Sequence, residues 1–308
     1  MGGRFGRDVW LGALAVALLL GGCSSTSPYD NEGDFTIASF NIHYLAVGRD
    51  VMPWDERKDA VRDVLEELDA DLIAFQEMET FGGGQMSTEN IQLDFLLEAL
   101  PHYEAAAVGD PERYPSTQPI LYRADRFVAV GQGFFFFSST PDVIYSRPWH
   151  ARFPAFCSWV LFEHHATGER FYVYNVHFDA SSARNRVKSA SLTLDRIEGR
   201  SSDAAALVVG DFNAPLLFPT MRRFLRAGFD HSGIRRATYH FNRGLNLIPG
   251  IDHILHSDGL ETFKGHIERG DRDGVYPSDH YPVMTAVTFE TGVSSGSGRS
   301  PREQEESR

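Results

Sequence analysis

The stretch LVVGDFNA, residues 207–214, ends an apolar run on two polar groups, Asp211 and Asn213. Side chains of a strand alternate between its two faces, so these groups share one side at a strand tip while Phe212 faces the other. Such a tip is where a charged group meets solvent, a metal or a substrate. A capping Asp and a turn-forming Asn ahead of Pro215 account for the same pair. What separates the two readings is repetition along the chain. Asn41 ends FTIASFN, Glu77 ends DLIAFQE, His177 ends YVYNVH and Asp252 opens DHIL, while Asp279 and His280 sit in SDH just before YPVMTAVTF. Each alone has an ordinary explanation as a strand end, a loop cap, a half-buried imidazole or a turn. Together they supply carboxylates, carboxamides and two imidazoles with almost no thiol. That donor set suits a hard cation such as Mg²⁺, with Mn²⁺ or Ca²⁺ as alternatives, and a phosphoryl group in transfer. Structural zinc, which takes closely spaced Cys/His pairs, lacks its ligands here.

These tips need elements to hold them. In WDERKDAVRDVLEELDA the apolar residues Val61, Val64, Leu65 and Leu68 have helical spacing. NIQLDFLLEAL, ARNRVKSASLTLDRIEGR and PTMRRFLRAGF read as further helices. PILYRADRFVAVGQGFFFFS reads as two strands around RADR, and AFCSWVLFEHHATGERFYVYNVHF as a hairpin across HHATGER. Strands outnumber helices, hairpins make the sheets mixed or antiparallel, and several strands are apolar on both faces, so both faces are covered. Two sheets flanked by helices satisfy this. Phe134–Phe137 belongs to a core strand, since four exposed phenylalanines would invite aggregation. Cys157, in an apolar strand, is expected to be a small core residue.

FNIHY, IAFQE, PILYRADRF, YNVHFD, GDFNA, IDHIL and YPSDHYPV occur in the order seen in the endonuclease/exonuclease/phosphatase superfamily. The chain resembles that superfamily from about Phe35 to Phe289. It includes pancreatic-type deoxyribonucleases, abasic-site endonucleases, neutral sphingomyelinases and inositol-polyphosphate 5-phosphatases. The resemblance implies an α/β fold, a four-layered α/β sandwich of deoxyribonuclease I type with the active site at one edge of two mixed, mostly antiparallel sheets. It implies that Glu77 is the main metal-ligating carboxylate, with Asn41 beside it and Asp279 reaching the metal directly or through water. Asp211 then orients or deprotonates the attacking water, and Asn213 holds that water or a phosphate oxygen. His177 and His280 donate to non-bridging oxygens or protonate the leaving oxygen, and Asp252 orients His280. Two departures stand out. Where relatives carry a glutamate that pairs with the first histidine, this chain has Ser116, Thr117 and Gln118, which predicts a His177 without that partner. Ala180 replaces a further histidine. Arg152 in WHARFP is an additional candidate for phosphate, and Lys188 is expected to face solvent.

The ends of the chain carry addresses rather than fold. Arg4 and Arg7 precede the apolar run Val9–Leu20, and LGGC resembles the lipobox of bacterial lipoproteins. The expected organisation is a signal peptide at 1–22, a flexible tether at 23–33 beginning with lipidated Cys23, a catalytic domain at 34–290 and a disordered tail at 291–308. Ser24 after the cysteine points to the outer membrane, with the domain on the periplasmic or extracellular face. Cys157 is then the one other cysteine and no intramolecular disulfide forms. The formal charge is −13; Arg4, Arg7 and Asp8 contribute +1 of it, leaving about −14 on the mature chain. An acidic body repels nucleic acid, and no Lys/Arg-rich loop stands out. The expectation is therefore a monomeric, divalent-metal-dependent phosphoesterase that hydrolyses a phosphodiester or phosphomonoester, in a small phosphate ester or a phospholipid headgroup, by in-line attack of water. A metal-dependent endo- or exonuclease is the enzymatic alternative. A non-catalytic binding lipoprotein is the alternative of another class, and the filled polar positions weigh against it.

Overall fold

In the computed structural model residues 33–45, 52–78, 90–147, 149, 153–200 and 204–290 are described. The signal peptide, Cys23, all but the last residue of the tether, Arg152 and the tail lie outside them. Two β–α–β units form the framework. In the first, β1 (Phe35–Asn41) and β2 (Leu72–Gln76) run parallel, joined through α1 (Trp54–Leu68), with Asn41 beside Gln76. In the second, β7 (Arg170–His177) and β8 (Ala205–Asp211) run parallel, joined through α3 (Ala183–Glu198), with His177 beside Asp211. Antiparallel strands complete both sheets.

On the first sheet β13 (Val283–Phe289) flanks β1, and β4 (Ile120–Arg123) then β3 (Tyr103–Ala106) extend from β2; β11 (Leu260–Thr262) and β12 (His266–Ile267) pair with β13. The second sheet runs β5 (Phe127–Phe136), β6 (Phe156–His164), β7, β8, β10 (Asp252–His256), β9 (Asp230–His231). The expected RADR turn and HHATGER hairpin join β4 to β5 and β6 to β7. The four strands not foreseen, β3, β9, β11 and β12, have two to four residues each. Segments that short carry no period-2 signal, and neighbouring strands create them.

Three apolar layers separate four structural ones. Val61, Val64 and Leu65 of α1 and Leu96 of α2 (Ile91–Ala99) cover Phe40, Ile73 and Phe75 on the outside of the first sheet. Between the sheets Ile37, Leu72 and Ile120 meet Phe171, Val173, Val209 and Ile254. Outside the second sheet Tyr174, Val208 and Leu255 pack against Ile197 of α3 and Met221 and Phe224 of α4 (Pro219–Arg226). The result is the α/β four-layered sandwich expected. Phe135, Phe136 and Phe137 are fully buried, as is Cys157. No helix among the described residues is long and apolar enough to cross a membrane.

A buried polar strut crosses the inter-sheet core just below the polar tips. Gln76 Nε2 donates to Asn175 Oδ1 (2.7 Å), Asn175 Nδ2 to the Phe75 carbonyl (2.7 Å), and Gln118 Nε2 to the Asn175 carbonyl (2.9 Å). Buried amides are tolerated when satisfied in this way, and they fix the offset of β2 against β7. Gln118 thus spends its amide on bracing.

Gly210, ahead of Asp211, has φ +137°, and a Cβ there would lie 2.0 Å from the Val176 carbonyl oxygen of β7. Close approach of β7 and β8 therefore requires glycine. Gly210→Ala is expected to lower urea-unfolding stability by roughly 2–4 kcal/mol. Gly168→Ala, where a Cβ meets nothing within 4 Å, is expected to cost only about 1 kcal/mol for its backbone conformation.

Candidate active site

Strand direction brings the polar tips together. Asn41 and Glu77 lie at the C-terminal ends of β1 and β2, and His280 lies just before antiparallel β13. His177 and Asp211 end β7 and β8, and Asp252 opens antiparallel β10 directly opposite Asp211. All six therefore fall on one edge of the sandwich, three from each sheet.

Asp211 is the hub. Its Oδ1 accepts the Asn213 N–H (2.8 Å), and its Oδ2 accepts from Asn41 Nδ2 of the other sheet (3.2 Å). The same Oδ2 lies 3.7 Å from His177 Nε2 and 3.8 Å from His280 Nε2. Asp211 is almost wholly buried. Burial and the neighbouring Asp252 carboxylate hold its pKa well above the usual carboxylate range, against the pull of His280 and His177. A carboxylate in that state is poised to take a proton near neutral pH.

His280 Nδ1 lies 2.9 Å from Asp252 Oδ2. Burial alone would lower the His280 pKa, but Asp252, Asp211 and Asp279 raise it to about 10. The ring is thus an imidazolium at neutral pH, oriented by Asp252 as the sequence reading expects. The strand-tip neighbours Ser278 and Thr238 hold this pair: Ser278 Oγ donates to the Asn41 carbonyl (2.7 Å), and Thr238 Oγ1 accepts the Asp252 N–H (3.2 Å).

Glu77 has φ +58°, in the left-handed region that non-glycine residues enter at a cost of about 1–3 kcal/mol. The strain turns its carboxylate back over the edge. Oε2 lies 3.2 Å from His43 Nδ1 and Oε1 lies 3.6 Å from His177 Nε2. Burial would raise its pKa, yet His43, His177 and His280 bring it down to about 2. His177 therefore has two carboxylates near it, Glu77 and Asp211, both beyond hydrogen-bonding distance, in place of the glutamate missing from 116–118. Asn213 also sits at positive φ (+48°), and one N–H of its side-chain amide is committed to the Phe178 carbonyl (2.9 Å). Lys188 lies 4.7 Å over the Trp149 ring rather than simply in solvent.

Two residues of this edge were not singled out from the sequence. His43, at φ +63°, bridges toward Glu77 and Asp279 (3.8 Å), and its Nε2 is buried without a partner among the described residues. Its spacing of two from Asn41 is the signal that was there to read. Arg57 is fully buried and donates to the carbonyls of Ile42 (2.6 Å), Pro277 (2.8 Å), His43 (2.7 Å) and Tyr44 (3.1 Å). It ties the loop after β1 to the SDH loop. Burial lowers its pKa to about 10, opposed by Asp279 and Glu77, so it remains charged. Arg57 continues the Val61–Val64–Leu68 stripe by one turn, which marks it as inward-facing.

The donor set fits a divalent cation. Glu77, Asp279 and Asn41 Oδ1 supply hard oxygens on one side of the edge. On the other, donor atoms of Asp211, Asp252 and His280 lie within 4.8 Å of one another, and Asp252 Oδ1 is buried without a hydrogen-bond partner among the described residues.

A sequence profile of the endonuclease/exonuclease/phosphatase family matches residues 38–280, and the chain belongs to that family, whose members are hydrolases acting on phosphate esters. A family protein from Bacteroides thetaiotaomicron superposes with TM-score 0.69 at 28% identity, covering 84% of this chain and 98% of that one. A mannosyl-6-phosphatase from the same organism gives TM-score 0.68 at 28% identity, over 83% and 100% of the two chains. An uncharacterised protein of Acanthamoeba polyphaga mimivirus is 29% identical over 180 residues, 56% of this chain, and the match spans 64% of that relative's length.

The His280–Asp252 pair has a direct readout. In an NMR pH titration the His280 ring is expected to stay protonated past pH 9, because its folded pKa is about 10. In Asp252→Asn, burial persists while the largest opposing charge is gone, so the ring should titrate about two or more units lower. A wild-type ring titrating near 6.5 contradicts the pairing.

Proposed function

We propose that this chain is a divalent-metal-dependent phosphoesterase that hydrolyses a small phosphate ester by in-line attack of water. The observation that carries the reading is the convergence on Asp211: a buried, proton-accepting carboxylate held between two imidazoles and an amide from the opposite sheet. Asp211 takes a proton from water, whose second hydrogen Asn213 Oδ1 accepts. His280, an imidazolium backed by Asp252, donates to a non-bridging phosphoryl oxygen, and His177 stands on the opposite flank to do the same or to protonate the leaving oxygen. Glu77, Asp279 and Asn41 would hold the cation, which when bound neutralises charge building on the phosphoryl oxygens. Strand tips and the residues next to them carry these groups, which suits the fine placement that in-line attack demands.

The likeness to a mannosyl-6-phosphatase supports a phosphomonoester, such as a sugar phosphate; a phospholipid headgroup, joined through a phosphodiester, is the diester alternative. The acidic chain supports a small substrate over duplex DNA. We further infer that lipidation of Cys23 anchors the domain, as a monomer, to the outer membrane of a bacterial envelope.

Purified protein is expected to hydrolyse a panel of phosphate monoesters with Mg²⁺ or Mn²⁺ and to lose the activity in EDTA. Glu77→Gln and Asp211→Asn should each reduce kcat by about 100-fold or more while thermal melting stays near wild type. Full activity in EDTA, or an active Asp211→Asn, overturns the reading; cleavage of plasmid DNA in preference to every monoester favours the nuclease instead. Incorporation of labelled palmitate that Cys23→Ser abolishes is the expected outcome for the anchor.

A further inference from the structure

The arginines and exposed apolar side chains of residues 215–250 were not absorbed by the site. This segment holds six arginines against one aspartate, a net of +5 in a chain of formal charge −13. They come singly or in pairs along the sequence, so no run of basic residues announces them. Six arginines elsewhere, Arg62, Arg123, Arg126, Arg170, Arg196 and Arg272, each pair with a carboxylate. Arg222, Arg223, Arg235 and Arg236 are exposed and form no ion pair among the described residues.

The same segment carries the apolar groups most at odds with water. Leu217 is 75% exposed and Leu247 71% exposed, and Phe218 and Ile248 beside them are exposed as well. Folding brings these residues to the catalytic edge. Phe212 N–H donates to the Ile251 carbonyl (2.9 Å), and His253 Nε2 lies 2.9 Å from the Ala214 carbonyl. The loop leaving Asp211 and the loop entering Asp252 therefore emerge side by side, one bearing Leu217 and leading into Arg222 and Arg223, the other bearing Leu247. Arg235 joins them through its carbonyl, which accepts the Gly250 N–H (3.3 Å).

We infer that this rim docks the catalytic edge onto an anionic phospholipid surface. Aliphatic side chains flanked by unpaired arginines are the combination that lies in a headgroup layer: the arginines meet lipid phosphates and the leucines enter the acyl boundary. A nucleic-acid face would place aromatic rings at the tips for base stacking, whereas the two most exposed large apolar residues here are leucines. The charge is local, so the acidic remainder of the chain is held off the membrane and the docking has one orientation, edge down. The first and last strands of the domain meet at the opposite pole, since Phe35 opens β1 and Val287 faces it near the end of β13. The eleven residues from Cys23 to Gly33 reach at most roughly 36–40 Å, about the length of a ten-residue strand, so an anchored chain can still lay its rim on the same bilayer.

The test uses full-length Cys23→Ser, which cannot be lipidated, and sedimentation with vesicles of phosphatidylcholine alone or with 30% phosphatidylglycerol. Partition onto the anionic vesicles only, weakened in 0.5 M NaCl, is expected. Adding Arg235→Gln and Arg236→Gln should lower it about tenfold to thirtyfold. Leu217→Ser with Leu247→Ser should lower it without changing charge, and Arg62→Gln with Arg170→Gln should leave it unaltered. Hydrolysis of a soluble monoester should be the same in all these variants, so failure of docking is distinct from failure of the proposed activity. Equal partition of rim and control variants, absence of partition onto either vesicle, or displacement from vesicles by a single-stranded oligonucleotide overturns the inference.

Discussion

The site depends on one buried carboxylate oxygen, Asp211 Oδ2. It belongs to the second sheet, yet it accepts the amide of Asn41 from the first. A buried charge in such a position is tolerable only with donors around it. Asn41 and the Asn213 N–H donate to it, and the His177 and His280 imidazoles stand 3.7 and 3.8 Å away; each lies at the tip of a different strand or just beyond one. The need to satisfy Asp211 and the need to bring two sheet edges together are thus one constraint. Any shift of one sheet over the other would strand this charge.

The surroundings make that shift difficult. The Gln76–Asn175–Gln118 strut spans the sheets just beneath the edge, and Arg57 ties four carbonyls from two loops above it. Both are polar groups in dry surroundings, costly if broken and therefore rigid when complete. Glycine at 210 lets β7 and β8 approach closely enough for His177 to stand beside Asp211. Strain at His43, Glu77 and Asn213, all at positive φ, is concentrated where the polar groups turn out of their strands. The apolar layers on both sides of the sheets supply the stability against which that strain persists.

Electrostatics divides the edge by function. Glu77 is held low, Asp211 high and His280 high, although all three lie within a few ångströms. Burial is common to all of them, so the differences come from their partners. Glu77 has three imidazoles around it; Asp211 faces another carboxylate, Asp252; His280 has three carboxylates. A proton acceptor, a charged donor and an ionised carboxylate thus result from ordinary side chains at their respective distances. On a larger scale the arginines near this edge contrast with the acidic charge of the chain as a whole.

Sequence alone determined the framework and most of the site. Periodicity gave the four helices and the long strands, because burial on one stripe or on both faces leaves a pattern that neighbours do not alter. The order of strand-end motifs identified Asn41, Glu77, His177, Asp211, Asn213, Asp252, Asp279 and His280 as one set, since a residue at a strand tip is legible wherever the strand is. Tertiary structure alone decided what these groups touch. That His177 lies between Glu77 and Asp211, that His43 leans on Glu77, and that Gln118 braces a strand rather than serving a histidine all depend on contacts between residues far apart in the chain. The short edge strands and the arginine rim were invisible for the same reason: neither is a local pattern, and each exists only where the fold sets distant segments side by side.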